Sequence, residues 1–292
     1  MLPRRHIRIK VFQTLYAFYQ QLGDKKLNTN KALKNNLTDY VNLYYFIIDV
    51  LIIIREIAEE EIITRKNKFL PTKEDLNPNK KFIKNQILKE LNTKKKLSKK
   101  IDYKKLKTIL KQIFKNLKNE NLYIKYMQSD DESYQNDKKI VINVLKKVII
   151  HQGIHDFIED YSIYWNDDLM IVYNVFLERI NNEENLKYLN IFRSSDDEEF
   201  AKNLLEKTIT EEEKIRSTIY KLAKNWDKER IALIDLILMK MAITEMMYIQ
   251  TIPNKVTMDE YIEISKDYST PKSKEFINGI LDRFIKDILC KK

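Results

Sequence analysis

Apolar positions recur at helical spacing from the first residues of the chain. Ile7, Val11, Leu15 and Phe18 form one row and Ile9, Phe12, Tyr16 and Tyr19 a second. Two rows on one segment predict a deeply packed helix, with Pro3 in its first turn. A long helix is expected over 30–64, then a loop around Leu70-Pro71-Thr72 and Leu76-Asn77-Pro78-Asn79. Further helical patterns cover about 79–91, 99–116, 138–163, 167–181, 196–208 and 211–225, with a polar turn over 128–137. Asn181 to Ser195 reads as a linker that ends in a capping box from Ser195 to Glu198.

The last third of the chain is the most regular. Ile231, Ile234, Leu238, Met241 and Met246 mark a buried row in a helix over about 228–249, which Ile252-Pro253 breaks. Thr257 with Glu260 reads as a capping box for the next helix, whose buried side carries Tyr261 and Ile264. Tyr268-Ser269-Thr270-Pro271 ends it and starts the last helix, with Thr270 as N-cap and Pro271 in the first position. No internal repeat and no convincing strand interrupts this order. The expected fold class is all-α.

Composition narrows the function classes. The 292 residues include only three glycines and five prolines. Gly23, Gly153 and Gly279 are too far apart for a phosphate-cradling loop, which excludes P-loop and dinucleotide-binding enzymes. The lone Cys290 forms no internal disulfide and suits a reducing cytoplasm. No signal peptide is evident. The most lipid-like stretch, Val41 to Ile54, carries Asn42 and Asp49 and is too short to span a bilayer, so it reads as a buried core helix. Membrane insertion is not expected.

Charge adds a different signal. The net charge is +10, and residues 65–118 hold nineteen basic side chains against four acidic ones. Such a block can neutralise phosphates. It can equally be a solvated lysine-rich surface, since Lys, Ile and Asn abound throughout as an A/T-rich coding sequence would supply. The arginines are harder to set aside. Arg4, Arg5 and Arg8 crowd the N-terminal end of the first helix, where the macrodipole disfavours positive charge. An external anion would offset them, and a guanidinium grips phosphate bidentately.

Other clusters carry less chemistry. His151, His155 and Glu159 share a helix face, but the general-base Glu of a hydrolytic zinc motif is absent, so capping or surface histidines are the expected reading. The pairs Asp130-Asp131, Asp167-Asp168 and Asp196-Asp197 read as turn or helix-start residues. No catalytic constellation, cofactor site or metal site is expected. Thr270-Pro271-Lys272-Ser273-Lys274 offers free backbone N–H groups and two ammonium groups at one helix start, a natural phosphate site. Phe276 beside it could stack on an unpaired base or simply pack inward. Gly279 inside this apolar helix costs about 1 kcal/mol relative to Ala, which close helix packing or an approaching ligand would explain.

Several separated runs together resemble the NusB family. These are R-R-H-I-R-I-K-V-F-Q-T-L-Y (4–16), E-F-A-K-N-L-L (199–205), W-D-K-E-R-I-A-L-I-D-L-I-L-M-K-M-A-I-T-E (226–245), I-P-N-K-V-T-M-D-E-Y-I-E-I-S-K (252–266) and S-K-E-F-I-N-G-I-L-D (273–282). The resemblance covers about 1–20 and 195–292, leaving 21–194 as a helical insertion that contains the basic block. It implies two small helical bundles, no catalysis, and binding of boxA-like single-stranded RNA in nascent ribosomal RNA transcripts. The implied partners are NusE, a small-subunit ribosomal protein, and the RNA polymerase antitermination complex, with a homodimer left open. Arg4, Arg5, Arg8, Gln13, Tyr16, Lys272, Ser273, Phe276 and Asn278 match its RNA-binding positions. Asp235 matches a position facing NusE, with Lys240 nearby. The competing reading is a non-catalytic helical scaffold whose insertion binds polymerase or a ribosomal partner.

Overall fold

A backbone with apolar residues at helical spacing and almost no glycine or proline satisfies its own N–H and C=O groups most simply as helix. The structure, a computed structural model, describes residues 1–21, 28–91, 101–224, 227–249 and 251–289. Among them are fifteen α-helices and no strand. In chain order these are α1 (Arg4–Tyr19), α2 (Thr29–Lys66), α3 (Lys73–Leu76), α4 (Lys81–Lys84), α5 (Gln86–Glu90), α6 (Tyr103–Leu117), α7 (Asn121–Gln128) and α8 (Tyr134–Ile149). There follow α9 (Gln152–Tyr161), α10 (Ile163–Asn181), α11 (Ser195–Thr210), α12 (Glu212–Leu222), α13 (Leu233–Tyr248), α14 (Asn254–Tyr268) and α15 (Ser273–Phe284). The all-α class read from the sequence is the class observed. Gly23, Trp226, Cys290 and the first residues of the 99–116 pattern lie outside the described residues.

The chain divides into two compact units, Met1–Leu37 with Asn190–Lys292, and Thr38–Leu189. In the first, α13 is the central helix. Ile237, Leu238, Met239, Met241, Ala242 and Ile243 are all fully buried, because α1, α11, α12, α14 and α15 each pack against it. The start of α1 is tied down by Leu2, whose side chain is buried and whose N–H donates to the Ile191 carbonyl at 2.8 Å.

In the second unit the latter part of α2 supplies the core. Phe46 packs against Phe157 and Trp165, with ring centroids 5.9 and 5.3 Å away, and the Trp165 indole donates to the Asp39 carbonyl at 3.1 Å. Thr29–Lys66 is long and apolar enough to cross a membrane, longer than the 14-residue stretch read from sequence, with a mean hydropathy of 1.7 over an 18-residue window. Of that window, 67% is buried inside the protein, which fits a core helix.

Several helix starts differ from expectation, and each difference has a local cause. Neither capping box forms. Helix α14 begins at Asn254, after Pro253, which moves Thr257 inside the helix, where its hydroxyl donates to Glu245 at 2.9 Å. Glu198 of the other box binds Lys202 instead, at 2.7 Å. The last helix starts at Ser273 rather than Pro271, with Thr270 and Ser273 sharing a hydroxyl hydrogen bond at 2.9 Å. Asp167 and Asp168 sit inside α10, which begins at Ile163. The 79–91 pattern breaks into short helices at Asn85, whose side chain caps α5 through the Leu88 N–H. The 138–163 pattern breaks at His151, whose Nδ1 accepts from the Gly153 N–H at 3.1 Å and so caps α9. Helix α7 had no counterpart in the apolar pattern. The stretch after α10 is anchored at points, with Leu186 and Leu189 buried.

Gly279 is not explained by helix packing, since a Cβ placed there would meet nothing within 4 Å. Gly279→Ala is therefore expected to stabilise the fold by about 1 kcal/mol through helix propensity. Leu238→Ala, at the buried centre of α13, should cost about 2–5 kcal/mol. Urea unfolding reads both, and a destabilising Gly279→Ala would contradict the open space around that residue.

Candidate nucleic-acid interface

The basic start of α1 is fixed by carboxylates from three other helices. Arg8 is buried, its side chain 3% exposed, and donates through Nε at 2.9 Å and Nη2 at 2.5 Å to both oxygens of Glu245 on α13. Glu245 also accepts from Thr257 Oγ1 at 2.9 Å and from the Tyr261 hydroxyl at 3.0 Å. Four donors thus satisfy one buried carboxylate. Burial alone would lower the Arg8 pKa, but the hydrogen bond to Glu245 and the neighbouring negative charge raise it above its ordinary value, so the guanidinium stays charged. Burial and the Glu245 charge push the Tyr261 phenol well up.

Arg4 and Arg5 lie at the rim, with side chains 42% and 50% exposed. Arg4 Nε binds Asp197 in the first turn of α11 at 2.8 Å, and Arg5 grips Glu260 of α14 bidentately at 2.8 and 2.9 Å. Phe200 lies under both Arg4 and Arg8, its ring centroid 5.5 and 5.2 Å from their guanidinium carbons. Internal carboxylates, not an external anion, therefore offset the unfavourable helix-end charge. Arg4, Arg5, Arg8, Ile252, Val256 and Glu260 help to line a groove of about 620 Å³.

The second basic helix start lies further along the same unit. Helices α1 and α14 run side by side in the same direction, since Arg5 meets Glu260 and, two turns later, the Phe12 ring lies 5.2 Å from Tyr268. Just past Tyr268, Lys272, Ser273 and Phe276 share a groove of about 490 Å³ with Asp235 and Arg230. Lys272 is exposed, Phe276 half-buried and Ser273 buried. Asp235 is buried and accepts from the Ser269 hydroxyl at 2.5 Å. The two grooves are separate and connected by the length of α14. Asn278 is exposed but lines neither groove.

Five of the sequence-derived candidates are buried: Asp235 and Ser273 beside the second groove, and Arg8, Gln13 and Lys240. Arg8 stands beneath the rim. Gln13 is buried, where its side-chain oxygen accepts from Asn36 at 3.1 Å. Lys240 is buried with its ammonium 2.6 Å from Glu212 and 4.3 Å above the Tyr19 ring. Burial lowers the Lys240 pKa against the opposing effect of its hydrogen bond to Glu212. A core helix has room for charges only when they are paired, so Arg8 and Lys240 position their neighbours rather than face solvent. Tyr16 is exposed at the end of α1.

Periodicity does not single out Asp197, Glu245 or Glu260. The available signal was Glu245 itself, a lone carboxylate in an otherwise apolar turn, which requires a buried cation nearby. Among the described residues no cluster of His, Cys, Asp or Glu could hold a metal ion.

The class defined here is an all-helical domain that displays a rigidly held arginine edge. Residues 169–286 match the model of the NusB family. The match begins inside α10, earlier than the resemblance at 195, and does not include α1, which joins the unit by packing. "Transcription antitermination protein NusB" from Thermodesulfovibrio yellowstonii is 44% identical over 98 residues, 34% of this chain and 65% of that protein. The protein of the same name from Salinibacter ruber is 43% identical over 31% of this chain and 56% of its own length. That from Chloroherpeton thalassium is 42% identical over 32% and 44%. The chain thus spans less than two thirds of the length of these relatives. No solved structure matches it.

Removing the partner of a buried charge is costly, so Glu245→Gln should lower stability by about 3–5 kcal/mol, and the double replacement Arg8→Met with Glu245→Leu should lower it less. Urea denaturation tests this, and a double variant worse than Glu245→Gln would contradict it. The hydrogen bond from Arg5 holds the Glu260 carboxyl below the ordinary glutamate value of 4.5. Its contribution is complete above that value and fades as pH falls through the lower folded value. Glu260→Gln should therefore flatten the acid limb of the stability–pH curve, measured as thermal midpoint below pH 5 or so.

Proposed function

We propose that this protein is a non-enzymatic RNA-binding antitermination factor. It recognises boxA-like single-stranded RNA in nascent ribosomal RNA transcripts together with NusE, within the RNA polymerase antitermination complex in the cytoplasm. The observation that carries this reading is that Arg4 and Arg5 are held at the rim by Asp197 and Glu260, both within the segment that matches the NusB family model. The carboxylates hold these side chains in one geometry, so little side-chain entropy is left to lose on binding. Their half-exposed guanidinium groups offer N–H donors to a phosphate, and the Lys272–Phe276 groove offers an ammonium and a ring further along the same unit. Arg8 acts as a positioning residue below them. Asp235 belongs to the NusE-facing side in this reading, and residues 21–194 form an insertion between α1 and the remainder of the NusB-like domain. The compact unit Thr38–Leu189 supports that division.

The test is boxA-like RNA binding by the full chain, followed by fluorescence anisotropy over a range of salt concentrations. Arg4→Ala with Arg5→Ala should weaken binding about tenfold or more and reduce the slope of log K against log salt by about 1.4, near 0.7 per lost phosphate contact. Unchanged affinity and slope would overturn the assignment of the rim.

A further inference from the structure

The second unit contains a basic surface that the NusB-like reading does not use. Helix α6 has no acidic residue and buries Leu106, Leu110, Ile113, Phe114 and Leu117. Its opposite face carries Lys104, Thr108, Lys111 and Lys115, all exposed, at spacings that keep them in one line. The line runs about 16 Å at 1.5 Å per residue. The flanking lysines are already engaged: Lys105 with Asp160, Lys107 with Glu60, and Lys118 with Glu61. Lys111 makes only a loose 3.9 Å contact with Glu60, and Lys104 and Lys115 have no ion pair among the described residues.

The line leads toward an exposed aromatic. Tyr103 donates to Asp49 at 3.3 Å and Lys118 meets Glu61 at 2.5 Å, so α6 and the second half of α2 run in the same direction and end together. Arg65 of α2 and Lys118 line one cavity there, of about 380 Å³. Just beyond α2 stand Phe69, 99% exposed, and Leu70, 81% exposed, in a stretch from Ile63 to Lys73 that holds four basic residues, Arg65, Lys66, Lys68 and Lys73, and no acidic one. A phenylalanine that buries nothing gains nothing for the fold.

We propose that this surface is a contact for single-stranded RNA independent of base sequence, with phosphates along Lys104, Lys111 and Lys115 and a base stacked on Phe69. Cations in a row with an aromatic platform at one end are the elements of single-strand binding, and neither reads base identity. A flexible strand can follow the side of α6 and then cover the tip. A flat anionic membrane that met the tip end-on would leave the lysines along the side of the helix without a partner. The inference does not rest on the antitermination reading, because it uses residues of the other unit.

The experiment measures binding of the full chain to poly-uridine RNA, which lacks a boxA element, beside binding to boxA-like RNA and to phosphatidylserine vesicles. The triple variant K104E, K111E and K115E should weaken poly-uridine binding by more than tenfold and lower its salt slope by about 2. Phe69→Ala should weaken it by about tenfold with the slope unchanged. The triple variant with Arg at the same positions should retain binding, and thermal midpoints should stay at the wild-type value since all four residues are exposed. Arg4→Ala with Arg5→Ala should leave poly-uridine binding largely intact, which separates this surface from the α1 rim. Wild-type poly-uridine affinity in both the Glu triple variant and Phe69→Ala would overturn the proposal. So would binding to the vesicles but not to the RNA.

Discussion

Everything at the arginine edge depends on one buried ion pair, Arg8 with Glu245. Helix α13 is apolar around nearly its whole circumference because five helices pack against it, and a carboxylate in that setting must be compensated on the spot. The compensation comes from α1 through Arg8 and from α14 through Thr257 and Tyr261. Three helices are thereby fixed in register at one point. Arg4 and Arg5, one turn earlier on α1, then have no choice but to emerge at the rim, where Asp197 and Glu260 steady them. The same pairing that stabilises the core dictates where the guanidinium groups meet solvent.

This arrangement accounts for a helix start that local rules disfavour. Three arginines oppose the α1 dipole, and no acidic residue stands in its first turn. The unfavourable term is small beside the charge-assisted hydrogen bonds that three carboxylates supply. Since those carboxylates nearly balance the local charge, the edge would attract RNA less by long-range field than by the directed donors it presents. The reserve of unbalanced positive charge lies in the other unit, along α6, where lysines outnumber the carboxylates around them.

Much of the fold was legible in the sequence because helical periodicity is a local property. The row Ile7–Phe18 became α1, and the row Ile231–Met246 became α13, although that helix starts only at Leu233, which leaves Ile231 outside it and Ile231 and Ile234 half-buried. Helix starts were less legible, since capping residues are also good ion-pair and hydrogen-bond partners. Thr257 and Glu260 have the spacing of a capping box yet serve Glu245 and Arg5, which no local rule reveals. The candidate site was legible as a concentration of basic residue types, but not in its depth. Arg4 and Arg8 lie one turn apart on α1, and one is at the rim while the other is in the core. That difference is set by α13 and α14, more than two hundred residues away in sequence.

The central claim is that the arginine edge at the start of α1 is the surface that meets RNA. Hydrogen–deuterium exchange of the full chain with and without boxA-like RNA tests it most directly, because it reports location without altering any residue. The account predicts slower exchange on RNA binding at the start of α1 and across residues 251–256, with a second protected patch at the start of α15. Protection confined to other segments, with the start of α1 unchanged in a saturated complex, would contradict it.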